Sequence, residues 1–494
     1  MQVSLERTTG FVSKRSCFAL VCVVMLQACG GGSGGGSPAT PTEVTPPPPA
    51  TSSTAVTTSG VITAFGSVYV NGVEYETDSA EIESDDEIVQ ESDLKVGQIV
   101  TLTGTRNDDG VTGSADRITY NDRVEGPISS IDGNTLVVLG QTIIVDADTV
   151  FDDNIMTQSL SGLSVGDVIE VSGFLNSNGD VVASFIEYNA PGGEFELVGT
   201  VTNLDANNST FEIGSQVIDF SGAILEDFGG SLLEDGNLVE VKGSTFGASG
   251  ELIARKVELE TEFFSEDHEV EVEGLISRFE SESDFDVFGR TVTTTSTTEY
   301  KGGLASDLAV DVKVEVEGSI NSEGVLVAEK VEFKKHEDTR IKALVDSIDP
   351  DLKRVVVLGL TIVTAATTQL EDDSDVHEMF FNLDSISVGD FLEVRGKLED
   401  DGTVTATRLE RDNRDDKSSI RGSVQSNDGF ATLVIAGVTI QTSASTQYRD
   451  SSETNMTQAE FFAAAIESVQ VKAKGLETNT SELTADELEL ENHD

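Results

Sequence analysis

One short phrase recurs six times along this chain. A glycine closes a strand of alternating apolar residues, a polar turn follows, and an alanine then stands three positions before an aliphatic residue. The glycines are Gly104, Gly173, Gly243, Gly318, Gly396 and Gly475, and the alanines, 10 or 11 residues later, are Ala115, Ala183, Ala254, Ala328, Ala406 and Ala485. Ile118, Ile186, Val257, Val331, Leu409 and Leu488 complete the phrase. A period of about 70 residues describes a string of small domains rather than one large catalytic fold, and it exceeds the length of a propeller blade.

The second copy shows what one unit contains. A strand from Asp122 runs through Gly126, Ile128 and Ile131 to the turn Asp132-Gly133-Asn134, a dipeptide pattern suited to tight hairpins. Thr135 to Leu139 is β-branched and apolar, Gly140 breaks it, and Thr142 to Val145 is a third strand. Asp152 to Gly166 is less regular, with Leu160 and Leu163 spaced for a short helix or turn. Asp167 to Gly173 alternates, Asn176 to Gly179 is a second hairpin turn, and Val181 to Tyr188 is the last strand. Three strands, a connector and two strands is the chain order of an OB-like barrel. Closure removes the two pairing edges that a short open sheet would expose. The repeated glycine and alanine read as small residues where strands bend or approach closely.

A second signature precedes the fourth strand. Val165-Gly166-Asp167 recurs as Val388-Gly389-Asp390, and more loosely as Val96-Gly97-Gln98 and Asp235-Gly236-Asn237; Asp311 and Ser468 stand at the glycine position elsewhere. Gly-Asp entering a strand is turn chemistry rather than a metal site. The pattern V-G-D-x-hydrophobic-E-V-x-G, then A-x-x-hydrophobic-E, is carried best by Val165 to Gly173 with Ala183 to Glu187, and by Val388 to Gly396 with Ala406 to Glu410. In this the chain resembles bacterial lipoproteins built of tandem OB-like β-barrel repeats of unknown function. The resemblance spans roughly residues 59 to 492 and implies no catalytic residues.

The expected organisation is all-β: a signal segment 1–28, a Gly/Ser/Pro-rich linker 29–58, and six five-stranded barrels at 59–120, 121–190, 194–261, 268–334, 339–411 and 418–492. The junctions are short, charged and poor in Gly and Pro, so adjacent units are expected to pack rather than swing. Arg7, Lys14 and Arg15 precede the apolar run Phe18 to Leu26, which is too short to span a bilayer comfortably. Leu26-Gln27-Ala28-Cys29 resembles the lipobox of bacterial lipoproteins, which implies acylation of Cys29 and an anchor in the membrane. Gly30, rather than aspartate, implies by the same analogy the outer membrane. Cys17 and Cys22 lie inside the signal, so the mature chain has no disulfide framework.

Charge and composition narrow the function further. The formal net charge of −58 repels nucleic acid, and no basic stretch interleaved with aromatics occurs in the sequence. His268, His336, His377 and His493 are scattered and expected on the surface, and neither a zinc-binding nor a nucleophile-elbow motif is present. Tryptophan is absent, which disfavours a sugar-stacking platform. Acidic runs at 84–87, 371–375, 399–402 and 412–416 read as solvated turns offering weak divalent cation binding, not a specific cage. The expectation is a non-enzymatic, lipid-anchored envelope module with no cofactor, serving a structural or binding role towards protein or glycan. The alternatives are a calcium-dependent adhesin or a hydrolase with an acidic cleft in one divergent unit, the longer insertions at 367–387 and 445–468 being the places to look.

Overall fold

A computed structural model describes residues 53–491, apart from 85–86, 147, 153, 156–158, 191, 261–267, 335–338, 400 and 451–453. The signal segment, Cys29, His336, His493 and parts of two acidic runs (Asp85, Asp86 and Asp400) lie outside the described residues.

In the second unit the strands are Val124–Asp132, Thr135–Val138, Gln141–Ile144, Val168–Leu175 and Val181–Asn189. The first pairs with the second, the second with the third, the third in parallel with the fifth, the fifth with the fourth, and the fourth returns to the first. That cycle closes a five-stranded barrel of OB topology. A short strand, Val150–Phe151, and a 3-10 turn, Leu160–Gly162, fill the connector. The same cycle recurs in the first, fourth, fifth and sixth units. In the third, the first strand is split at Val201 into Phe195–Thr200 and Thr202–Asp205. The fold is nearly all β, with one α-helix, Gln458–Ala464, among the described residues. It lies in the 445–468 insertion, is capped by Thr457 and Glu460, and buries Phe461 and Phe462 against Tyr448.

The recurring glycine and alanine face each other across the fourth and fifth strands, and in every unit the register slips at that point. The slip is a β-bulge: the residue after the alanine is the extra one, and the carbonyl oxygen of the residue before the alanine stands against the glycine. A Cβ on Gly104, Gly318 or Gly396 would stand 2.1–2.2 Å from that oxygen, so no larger residue fits. The turn before the fourth strand is equally constrained. Gly97, Gly166, Gly236 and Gly389 take φ between +93° and +98°, and Asp311 and Ser468, where glycine is lost, still take +66° and +72°. Asp167 and Asp390 close their turns by accepting the backbone N–H three residues earlier, at 2.8 and 2.9 Å.

Units join through their first strands, giving three sheets. The second joins the third, with Val124 opposite Leu197; the fifth joins the sixth, with Ile341 opposite Ile420; both seams are antiparallel. Apolar residues meet across these seams, so the two barrels of each pair share one continuous core. The first unit joins the fourth instead, in parallel, with Thr58 opposite Glu271. Here buried polar side chains separate two distinct cores. The units expected as independent small cores are thus joined in pairs, two of which merge their cores while the third keeps them apart. The cause is the edge of each first strand, which still has hydrogen-bonding groups to satisfy after its own barrel has closed.

Candidate functional site

Where the first, second, fourth and fifth units meet, a cavity of about 470 Å³ opens. Its apolar floor comes from first and fourth strands: Val61, Phe174 and Leu275 pack with Ile99, and Phe288 meets Phe174 edge-on at 6.3 Å. Lys313, at the start of a fourth strand, is 2.8 Å from Glu273 and 5.0 Å above the Phe174 ring. Burial opposes its charge, but Glu273 and Asp148 outweigh burial and hold Lys313 above its ordinary value. Lys334 bonds Glu315 at 2.5 Å. From the fifth unit come Arg395, bonded to Glu393 at 2.8 Å, and Arg408, bonded to Glu371 at 2.6 Å and Glu410 at 2.7 Å. Opposite them, Asp146 and Asp148 project from the turn after a third strand of the second unit.

The basic residues form a line that only the sheet assembles. Arg408, Arg395, Arg340, Arg421 and Lys472 occupy successive strands in register across the fifth and sixth units. No stretch of sequence holds them together, which is why sequence reading found no basic stripe. Beside this line, oxygens of Glu393, Glu410 and Asp412 lie within 4.8 Å of one another, a spacing that could suit a metal ion. Cations of the chain already serve them: Arg340 and Arg395 bond Glu393 at 2.5 and 2.8 Å, and Lys342 holds both Glu393 and Asp412. Burial alone would raise Glu393, but Arg340, Arg395 and Lys342 hold it well below the usual carboxylate range. The trio is therefore an ion-pair network rather than a cage.

The run 371–375, expected as a solvated turn, departs from that reading. Asp372 is buried, and Arg411 binds both of its oxygens while stacking over Phe381 at 4.8 Å. Burial would raise its carboxyl, but Arg411 and Ser374 hold it well below its ordinary value. An acidic residue facing an arginine 39 positions away carries no local signal. Asp401 and Asp415, in contrast, stay in exposed turns, though Asp415 also meets Lys474 at 3.2 Å. His268 is half-buried and bonds Thr57 at 2.9 Å, which corrects its expected surface position; His377 is exposed. Of the two insertions, 367–387 contributes Thr367 and Gln369 to the cavity wall.

One recurring residue escaped sequence reading although its signal was present. Thr149, Thr298, Thr368 and Thr446 each donate a hydroxyl to the carbonyl of the repeat alanine, at 2.6–2.8 Å. Each opens the short phrase Thr-x-aromatic or Thr-x-Leu before the connector. It latches the connector to the bulge.

Residues 59–119, 125–187, 198–258, 273–332, 342–410 and 421–489 match the family described as Domain of unknown function (DUF5666). The chain belongs to that family. Each DUF5666 segment begins within a first strand and ends within a fifth, so the family unit is one closed barrel. No curated protein matches the chain. The cavity is built between DUF5666 units rather than inside one.

Proposed function

We propose that this chain is a non-enzymatic envelope lipoprotein, tethered to the outer membrane by a lipid on Cys29, whose barrels form a structural or binding module towards protein or glycan. One observation carries the reading: the residues that recur in the repeats are taken up by the barrel's own geometry. The glycine and alanine make the bulge, the Gly-Asp turn starts the fourth strand, and the threonine latches the connector. A repeat whose constant residues all serve shape is a scaffold, with specificity left to surfaces that vary. The lipobox-like Leu26 to Cys29, followed by Gly30 to Ser37 and Pro38 to Pro49, supplies a tether and spacer. The −58 charge supports a soluble, self-repelling body.

The test is incorporation of labelled fatty acid into the full precursor and into Cys29→Ser. Label in the first alone, with that protein in the outer-membrane fraction, is the expected result. Equal behaviour of the two would remove the tether.

A further inference from the structure

The cavity between the four units is uneven in how its charges are spent. Each of its cations is engaged: Lys313 with Glu273, Lys334 with Glu315, Arg395 with Glu393, and Arg408 with Glu371 and Glu410. Asp146 and Asp148 differ. Asp146 accepts only the backbone N–H of Asp148, at 2.9 Å, and the Thr149 hydroxyl at 3.4 Å. Neither carboxylate forms an ion pair among the described residues, although Lys313 attracts both from farther away. Asp146 is exposed to solvent and Asp148 half-buried; partial desolvation, and then the charge of Asp148, push the Asp146 carboxyl up.

The unspent charge in the cavity is thus negative, and the walls beside it are apolar or aromatic. Phe174 already receives one ammonium group, that of Lys313, and Phe333, Val61 and Leu275 line the same space. At about 470 Å³ the volume suits a small organic molecule. We propose that this cavity binds a small organic ammonium ion of the alkyl monoamine class, with its charged nitrogen at Asp146 and Asp148 and its hydrocarbon along Val61, Leu275 and Phe333. A hard divalent ion is a poorer match, since it asks for about six to eight oxygen ligands. Asp146 and Asp148 are joined by no third carboxylate at metal-binding distance among the described residues. A small anion would have to displace existing ion pairs.

Titration calorimetry of butylamine into the full chain tests this at about 0.15 M salt, where diffuse attraction to an acidic surface is screened. The expected result is one saturable event per chain, weakened about tenfold by Asp148→Asn and lost in Asp146→Asn/Asp148→Asn. Glu280→Gln/Glu282→Gln, which removes two exposed charges of the fourth unit, should leave it unchanged. Thermal melts of each variant establish that it is folded; if the double variant is not, Asp148→Asn alone decides. Binding without saturation, binding weakened equally by both pairs of substitutions, or saturable calcium binding lost with Asp148→Asn would each overturn the proposal. None of these outcomes bears on acylation of Cys29, so the site and the tether stand or fall separately.

Discussion

The seam between the first and fourth units and the seam between the fifth and sixth use the same first strand, yet their chemistry is opposed. At the fifth–sixth seam, buried Glu393 sits among Arg340, Lys342 and Arg395 over one shared apolar core. At the first–fourth seam, Glu269, Glu271 and Glu317 crowd together with Arg106 as the basic residue that bridges Glu269 and Glu317. Carboxyl groups placed opposite each other must share protons or separate. Glu271 accepts from no cation among the described residues; it accepts the Thr58 hydroxyl at 3.1 Å, and burial and Glu315 push it well above its ordinary value. Glu269 is pushed up to about 7, chiefly by its hydrogen bond with Glu317. One repeat therefore yields a seam of ion pairs over a shared core, and another in which the ion pairs of Arg106 stand beside carboxyls pushed towards their protonated form.

The largest expected effect tests the ion-paired seam. Glu393→Ala leaves three cations without their common partner and should cost roughly 3–5 kcal/mol. Hydrogen exchange should then accelerate in Thr339–Asp349 and Ser418–Asn427 while the first–fourth strands keep their protection. Uniform acceleration would mean that the three pairs melt as one block. Next comes the bulge common to all units. Gly396→Ala places a Cβ 2.2 Å from the Thr405 carbonyl oxygen and should destabilise by about 1–3 kcal/mol in denaturant unfolding.

The third prediction sharpens the contrast through pH. Glu269 and Glu271 bind protons more tightly in the fold than in the unfolded chain, where a glutamate titrates near 4.5. Both contributions are complete below that value; that of Glu269 is lost as pH rises through about 7, and that of Glu271 as pH rises through its own raised folded value. Glu393 is shifted the other way, so its contribution is present above 4.5 and is lost as pH falls through its lower folded value. Protection of Ser53–Phe65 and Glu269–Ser281 should therefore decline from pH 5 to pH 8, and Glu269→Gln should flatten that decline. The fifth–sixth strands should hold over the same range. The smallest effect concerns the latch: Thr368→Val removes its bond to the Ala406 carbonyl and should cost about 1 kcal/mol.

What sequence reading reached, and what it missed, follows from range. The five-strand order of a unit was legible because alternation, Asp-Gly turns and the Gly–Ala phrase act over a few residues. The bulge could be anticipated because no side chain is tolerated where Gly396 meets Thr405. Partner choice was illegible. Glu271, on a first strand, and Glu393, on a fourth, both stand between apolar neighbours, and nothing nearby says that one will face Thr58 and the other Arg340. The cavity failed for the same reason, since Asp146, Lys313 and Arg395 come from three units. A usable hint was overlooked: basic residues inside strands of so acidic a chain mark places where a carboxylate is to be buried.

The parallel pairing of the first unit with the fourth also fixes an order of events. Thr57 meets His268, 211 residues downstream, so the opening barrel must wait, one flank unmatched, until two whole units have emerged behind it. A waiting flank of threonine and serine, Thr57 to Ser59, gives passing strands little oily surface to seize. The slow step in assembling this molecule should therefore be a late homecoming of its earliest-made part.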